Sequence, residues 1–318
     1  MTVEPKASPN RVLRWMGLAI LALLLGLVFA VEDARSLLVE ALSNVSPLAV
    51  LATVPGQVAA FLLCAAALHA LRPGVGPMAC LESRVLRDGG DNLLVFLPGV
   101  GDAIGARALV LTGGRTRAAI SATALDKLAE MLAQVPYILL ALFVFARGWD
   151  GSIPNISGGI VFGGVIAAGL LILAVILSRT ARGRRMLARV YAEWHLLRVE
   201  FSHQKQGFPL STALHFLAWV MGGVQIWMAG RALGYDLNFF EAVAIESAAY
   251  AGRALLIFVP AGLVTQELGL VAAGLVFGLA PAESLALGLV LRLRDVVFGL
   301  PLLLWPWREW RRAGQRRE

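Results

Sequence analysis

The chain has 318 residues, of which 58% are hydrophobic and 15% charged, with a mean hydropathy of +0.74. A soluble domain carries about 25% charged residues, so the missing charge argues against a soluble globular protein. The length would accommodate two soluble domains, but the apolar runs leave no room for one. The net charge of +7 is spread between apolar segments, a placement that points to membrane orientation and away from nucleic acid.

A helix needs about 20 mostly apolar residues to cross the hydrocarbon core, and helices are the default because backbone groups cannot stay unpaired in lipid. In chain order the predicted spans are Val12–Val31, Pro47–Leu71, Leu128–Ala146, Gly158–Ser178, Leu210–Leu233, Glu241–Val259, Gly262–Leu279 and Ala282–Trp305. The first is longer than a signal-peptide core and lacks a small-residue cleavage site, so it reads as a retained span after a cytoplasmic stretch 1–11. A ninth apolar segment, Leu93–Leu111, is short and broken by Pro98, Gly99, Gly101 and Gly105. It reads as re-entrant, because broken backbone survives at membrane depth only inside protein or along a cavity. The expected architecture is therefore an all-α polytopic membrane protein. It has about eight transmembrane helices, one re-entrant broken helix and two loosely related halves in a single membrane domain.

Lysine and arginine set the orientation. With the N-terminus inside, the inner segments (the N-terminus, Arg72–Lys127, Arg179–Lys205 and the tail 308–318) hold 22 of the 28 basic residues, and the outer loops hold only Arg35 and Arg147. This predicts a bacterial inner membrane protein with both termini cytoplasmic. Trp305, Trp307 and Trp310 are expected as an interfacial belt. Between the halves, Met186, Leu187, Val190, Tyr191, Trp194, Leu197 and Phe201 recur at helical spacing among arginines. The segment 179–207 thus reads as a basic amphipathic helix on the anionic inner leaflet.

A charge at the bilayer centre costs roughly 2.5–3.5 kcal/mol even on the lenient insertion scale, and the sequence accepts that cost repeatedly. Glu246, Tyr250 and Arg253 fall at i, i+4 and i+7 on one face; Arg292 and Asp295 fall at i and i+3, near enough to pair. Gln266 and Glu267 follow a Pro260–Gly262 break, and Asn92, Asp102 and Arg107 flank the first break. Interrupted segments in corresponding places point to a binding site in transporter folds. Each residue taken singly is as well explained by interhelical pairing; the whole set favours a polar path through the bilayer.

No metal, cofactor or catalytic constellation is expected. His69, His195, His203 and His215 have no paired ligand spacing, Cys64 and Cys80 read as buried small residues, and no Walker, nucleophile-elbow or dinucleotide motif occurs.

Phe258–Gly269 reads FVPAGLVTQELG, continuing through Gly278-Leu279-Ala280-Pro281 to Leu291-Arg292-Leu293-Arg294-Asp295. This resembles the PGGLGxxE…R signature of the membrane region of lysylphosphatidylglycerol synthase and its stand-alone, flippase-like relatives. Asn92–Asp102 followed by Arg107 is similar to the family's NxxxPxxxGE…R element, and Asp126-Lys127-Leu128-Ala129-Glu130 stands where the family often has ERxxD. Glu246-Ser247, Gln266-Glu267 and Gly299-Leu300-Pro301 look closest to the hopanoid-associated, HpnL-type branch. Ala261 and Val264 replace signature glycines. The resemblance covers about residues 11–307. It implies lipid translocation or a related lipid-handling step without the aminoacyl-transferase domain, so no synthase activity is expected.

In that reading Arg253, Arg292 and Arg107 attract anionic or hydroxyl-rich headgroups, and Glu246 and Glu267 balance them. Membrane lipids, hopanoid-related ones among them, are the expected partners. Two rivals remain: an enzyme modifying a lipid headgroup, for which no nucleophile–base pair is legible, and a scaffold docking lipid-biosynthetic enzymes on 179–207.

Overall fold

A computed structural model describes residues 32–94, 97, 99–148, 202, 206–255 and 263–306. The expected spans Val12–Val31 and Gly158–Ser178, the amphipathic segment 179–207 but for its last residues, and Trp307 and Trp310 lie outside the described residues, as do the side chains of 252–265. Among the described residues the chain is all-helical, with no strand and nine α-helices.

The helices are α1 (Glu32–Asn44), α2 (Pro47–Ala70), α3 (Pro77–Leu93), α4 (Val100–Leu111), α5 (Thr116–Gly148), α6 (Phe208–Ala232), α7 (Phe239–Leu255), α8 (Leu263–Val276) and α9 (Pro281–Gly299). A 3₁₀ turn, Leu300–Leu304, follows the last. Local chemistry sets several ends. Ser46 Oγ accepts from the Ala49 amide at 3.1 Å, with Pro47 starting α2. Asn238 and Glu241 form a reciprocal capping box at α7, with bonds of 2.9 and 3.0 Å.

Three helices are long and apolar enough to cross a membrane: Pro47–Ala70, Thr116–Phe145 and Phe208–Ala232. Their apolar side chains face outward in quantity; Leu48, Leu51, Leu139 and Leu142 are each more than half exposed. A water-soluble surface does not tolerate such a belt, whereas lipid does. The protein is an all-α polytopic membrane protein.

The α5 span starts near Thr116, twelve residues before the expected Leu128. Arg117, Asp126, Lys127 and Glu130 lower its apparent hydropathy, but Asp126 and Glu130 point inward to basic partners. The expected loop around Arg35 contains α1, which packs on α9. Trp305 does not present its ring to the outside. It is buried against Leu86, Ala108 and Leu111, because the 3₁₀ turn carries it inward over the α3–α4 pair.

The short broken segment is the tip and second arm of a helical hairpin. Its first arm, α3, comes from the stretch read as a polar connection. The arms run antiparallel: Gly90 meets Gly101, and Ser83 Oγ donates to the Gly105 carbonyl at 2.9 Å. Gly99 starts α4 with φ +76°, a left-handed conformation that glycine adopts without strain. In the second half α7 and α8 also pack side by side, Gly269 lying against the backbone of Ala248 and Ala249. Around these pairs α2 packs closely on α6, and α5 packs on α6 and α7. The largest apolar cluster joins Ala49, Ile226, Ile245, Leu270 and Leu287 from five helices.

Candidate functional site

A cavity of about 440 Å³ opens between α2, α3, α5, α6, α7 and α9. Gln57 and Cys64 reach it from α2, Glu130 and Gln134 from α5, and Trp219 and Gly222 from α6. These positions fall near mid-length of the three helices long and apolar enough to cross a membrane. Its lining is nonetheless polar: Arg84, Asp88, Asp91 and Asn92 from α3, Lys127 from α5, His215 and Gln225 from α6, Glu246 and Tyr250 from α7, and Arg294 and Asp295 from α9.

Two charge clusters organise the walls. In the first, Arg87 is the hub: Nη1 meets Asp126 Oδ2 at 2.6 Å, Nη2 meets Glu130 Oε2 at 2.8 Å, and Nε lies 2.7 Å from Asp102 Oδ1 without hydrogen-bond alignment. Arg84 binds Asp88 at 3.0 Å and Glu130 at 2.9 Å. Lys127 adds a contact to Glu130 at 3.2 Å. His215 Nε2 lies 2.9 Å from Asp126 Oδ1, and its Nδ1 lies 3.7 Å from Cys64 Sγ. Arg84, Arg87, Asp126 and His215 are all buried; charges are tolerated in such a place only when paired and hydrogen-bonded.

In the second cluster Arg294 donates to Gln225 Oε1 and binds Asp295 Oδ1 at 2.6 Å. Nearby, the Tyr137 hydroxyl donates to Glu246 Oε2. Trp219 joins the two regions: its indole N–H donates to the Glu130 carbonyl at 3.2 Å, and its ring meets Tyr250 edge-on at 4.7 Å. Gly222 leaves room for the Glu246 carboxyl, which a Cβ there would overlap.

The residues expected from sequence divide into groups. Asn92, Glu246, Tyr250 and Asp295 line the cavity, whereas Asp102 lies outside its lining, 2.7 Å from Arg87. Arg292 does not pair with Asp295. Its Nε donates to Glu267 Oε1 at 3.0 Å and its Nη2 to Gln266 Oε1 at 3.0 Å, while Asp295 turns to the adjacent Arg294. Arg292 and Arg294 point to different neighbours because they are two residues apart on α9, far from the same face. Gln266, Glu267 and Arg292 thus form a separate cluster between α8 and α9, outside the cavity lining. Arg107 lies on α4 and is also outside that lining. The Arg253 side chain lies outside the described residues.

Sequence reasoning missed Arg84, Arg87 and Asp88 as site residues, and took His215 and Cys64 as unremarkable. A legible signal existed. Arg84, Arg87, Asp88 and Asp91 repeat at i, i+3, i+4 and i+7, and Asp126, Glu130 and Gln134 at i, i+4 and i+8. Each set is one face of one helix, and a polar stripe at that spacing needs a polar counterpart. Among the described residues no group of three or more acidic, histidine or cysteine side chains is placed to hold a metal. Cys80, apart from the cavity, is buried and sits 4.0 Å from His69.

No curated protein and no solved structure matches the chain. A family model does, over residues 14–302: the lysylphosphatidylglycerol synthase TM region. That match includes the α3–α4 hairpin, the α7–α8 pair and every helix that lines the cavity, and the chain therefore belongs to the lysylphosphatidylglycerol synthase TM region family.

Proposed function

We propose that the protein moves lipid headgroups across the bilayer through the polar cavity while the acyl tails stay in lipid. The family carries a membrane-lipid role. The observation that supports translocation is the place of the cavity: a space of about 440 Å³, lined by charges and amides, at mid-length of three membrane-length helices. A charge isolated at that depth costs several kcal/mol, and a prepaired set of side chains offers a headgroup substitutes for its lost water. Arg294, Asp295, Gln57, Asn92 and Gln134 supply donors and acceptors, and Trp219 and Tyr250 supply aromatic surface. Arg253, Arg292 and Arg107, the basic residues first expected to hold headgroups, give way here to Arg294 and Arg84. Hopanoid-related lipids remain the resemblance-based choice of substrate. The Lys and Arg asymmetry supports an inner-membrane placement with both termini cytoplasmic.

The test is reconstitution in vesicles of phosphatidylethanolamine and phosphatidylglycerol carrying headgroup-labelled lipids, with polyol-headed hopanoids among them. Wild type is expected to expose label to an external quencher at least several-fold faster than Arg294→Ala or Trp219→Ala. Equal rates in wild type and both variants would rule the cavity out as the route.

One observation favours a second reading, an enzyme acting on a lipid ester. The order Cys64 Sγ, His215 Nδ1, His215 Nε2, Asp126 Oδ1 is that of a thiol, a base and a carboxylate that orients the base. Incubation with the same vesicles separates the two: a change in lipid mass that Cys64→Ala abolishes supports the enzyme, and unchanged lipid masses support translocation.

A further inference from the structure

The cavity treats one carboxyl differently from the rest. Asp88, Glu130 and Asp295 each have an arginine within 3.0 Å, and behind them Asp102 and Asp126 lie within 2.7 Å of Arg87. Asp91 is partly exposed beside the α3–α4 glycines. Glu246 is 3% exposed, and among the described residues no arginine, lysine or histidine lies within ion-pair distance of it.

From α5 Glu246 receives the Tyr137 hydroxyl, which also lies 3.4 Å from the Val243 carbonyl. From α6 it meets Gly222, a position that leaves its second oxygen uncrowded. From α9 the nearest cation is Arg294, already held by Asp295 and Gln225. From α8 the ionisable side chain is Glu267, engaged by Arg292. On α7 itself Tyr250 stands one turn on, against Trp219.

An ionised carboxylate in low dielectric that meets, among the described residues, one neutral donor and no cation is far from balance. A carboxyl that opens onto a hydrated cavity can restore balance by taking a proton, and can give it up when a passing group or a change of conformation brings a cation near. Asp88, Glu130 and Asp295 each already have an arginine within 3.0 Å, and Asp91 is partly exposed.

We propose that Glu246 is a proton-binding site of the transport cycle, loading and releasing one proton through the cavity so that headgroup passage follows the transmembrane proton gradient. This rests on the translocation reading, and it adds the energy source: no nucleotide motif is present in the sequence, and a proton needs no site larger than one carboxyl. Tyr137 is the positioning residue, holding one oxygen of Glu246 while the other faces the cavity beside Gly222.

Two measurements on the full chain test it. The first is infrared difference spectroscopy in phosphatidylcholine vesicles as pH is varied. Wild type is expected to show a protonated-carboxyl carbonyl band that titrates, Glu246→Gln to lack that band, and Tyr137→Phe to keep it with a displaced midpoint. The second is labelled-lipid movement in phosphatidylethanolamine and phosphatidylglycerol vesicles with and without an imposed pH gradient. The gradient is expected to change the wild-type rate several-fold and to leave the Glu246→Gln rate unaltered. A band that does not titrate, or that titrates equally in Glu246→Gln, overturns the proposal whatever the lipid does. Lipid movement indifferent to the gradient in wild type overturns the coupling and leaves translocation standing. A titrating band with no lipid movement under either condition overturns translocation instead and leaves the proton site.

Discussion

Replacing Arg87 by leucine is expected to destabilise the protein by about 3–5 kcal/mol, the usual result of removing one member of a buried ion cluster. The cost comes from what is left behind. Asp126 is fully buried, loses its 2.6 Å partner and keeps the His215 ring at 2.9 Å; Asp102 loses the arginine 2.7 Å away; Glu130 loses the Arg87 contact at 2.8 Å but keeps Arg84 and Lys127. Midpoints of chemical or thermal unfolding in detergent, followed by helical circular dichroism, measure the loss. The double variant Arg87→Leu/Asp126→Asn should recover a good part of it, because it also removes the stranded charge. A single variant as stable as wild type would mean that water reaches the cluster and screens it.

Gly101→Val is expected to open the α3–α4 hairpin. A Cβ at this position would overlap the Arg87 carbonyl and the Asp91 carboxyl. The carboxyl is a side-chain end on the cavity and can swing aside, but the carbonyl is helix backbone and cannot. Overpacking in a rigid interior costs about 1–3 kcal/mol and more where backbone must move. Here the movement also shifts Arg87 and Asp91 together, so stability and headgroup movement should fall in parallel. Gly99→Ala, at the tip of the same hairpin with nothing within 4 Å, is a useful contrast. It strains only the left-handed backbone, at a cost of about 1 kcal/mol, and should leave the cavity wall in place. Cross-linking of paired cysteines introduced on α3 and α4 distinguishes an opened hairpin from a merely less stable one.

Much of the helix map was legible because lipid imposes one rule on every span: about 20 apolar residues in a row. Pro47–Leu71 and Leu210–Leu233 agree with α2 and α6 to within two residues at each end. The rule failed where charges interrupt the pattern. The start of α5 was placed at Leu128, and α3 was read as a polar connection, since Arg84, Arg87, Asp88 and Asp91 all count against membrane depth in a hydropathy window. Those residues are tolerated because α5 returns Asp126 and Glu130 to meet them. A one-dimensional window weighs each charge alone and cannot register that compensation.

The candidate site shows the same division. Glu246, Tyr250, Asp295 and Asn92 were singled out as polar residues in apolar surroundings, and all four line one cavity. The pairing of Arg292 with Asp295 looked natural from i, i+3 spacing, yet Arg292 reaches across to Glu267 and Gln266. Spacing states which side chains are able to meet along one helix; it says nothing of a stronger or better-aligned partner on the next.

By itself the sequence determined the class of solvent the chain lives in, the helical form that solvent demands, and the family to which the motifs belong. These follow from composition and short-range pattern, because burying apolar residues in lipid and closing backbone hydrogen bonds within a helix are local requirements. The tertiary structure decided which charges share a cavity, which carboxyl has no cation beside it among the described residues, and where Arg84, Arg87, Asp126 and His215 find one another. The reason is physical: ion pairs and hydrogen bonds act over a few ångströms between residues such as Arg87 and Asp126, or His215 and Cys64, that are distant in sequence. Only the packing of six helices sets those distances.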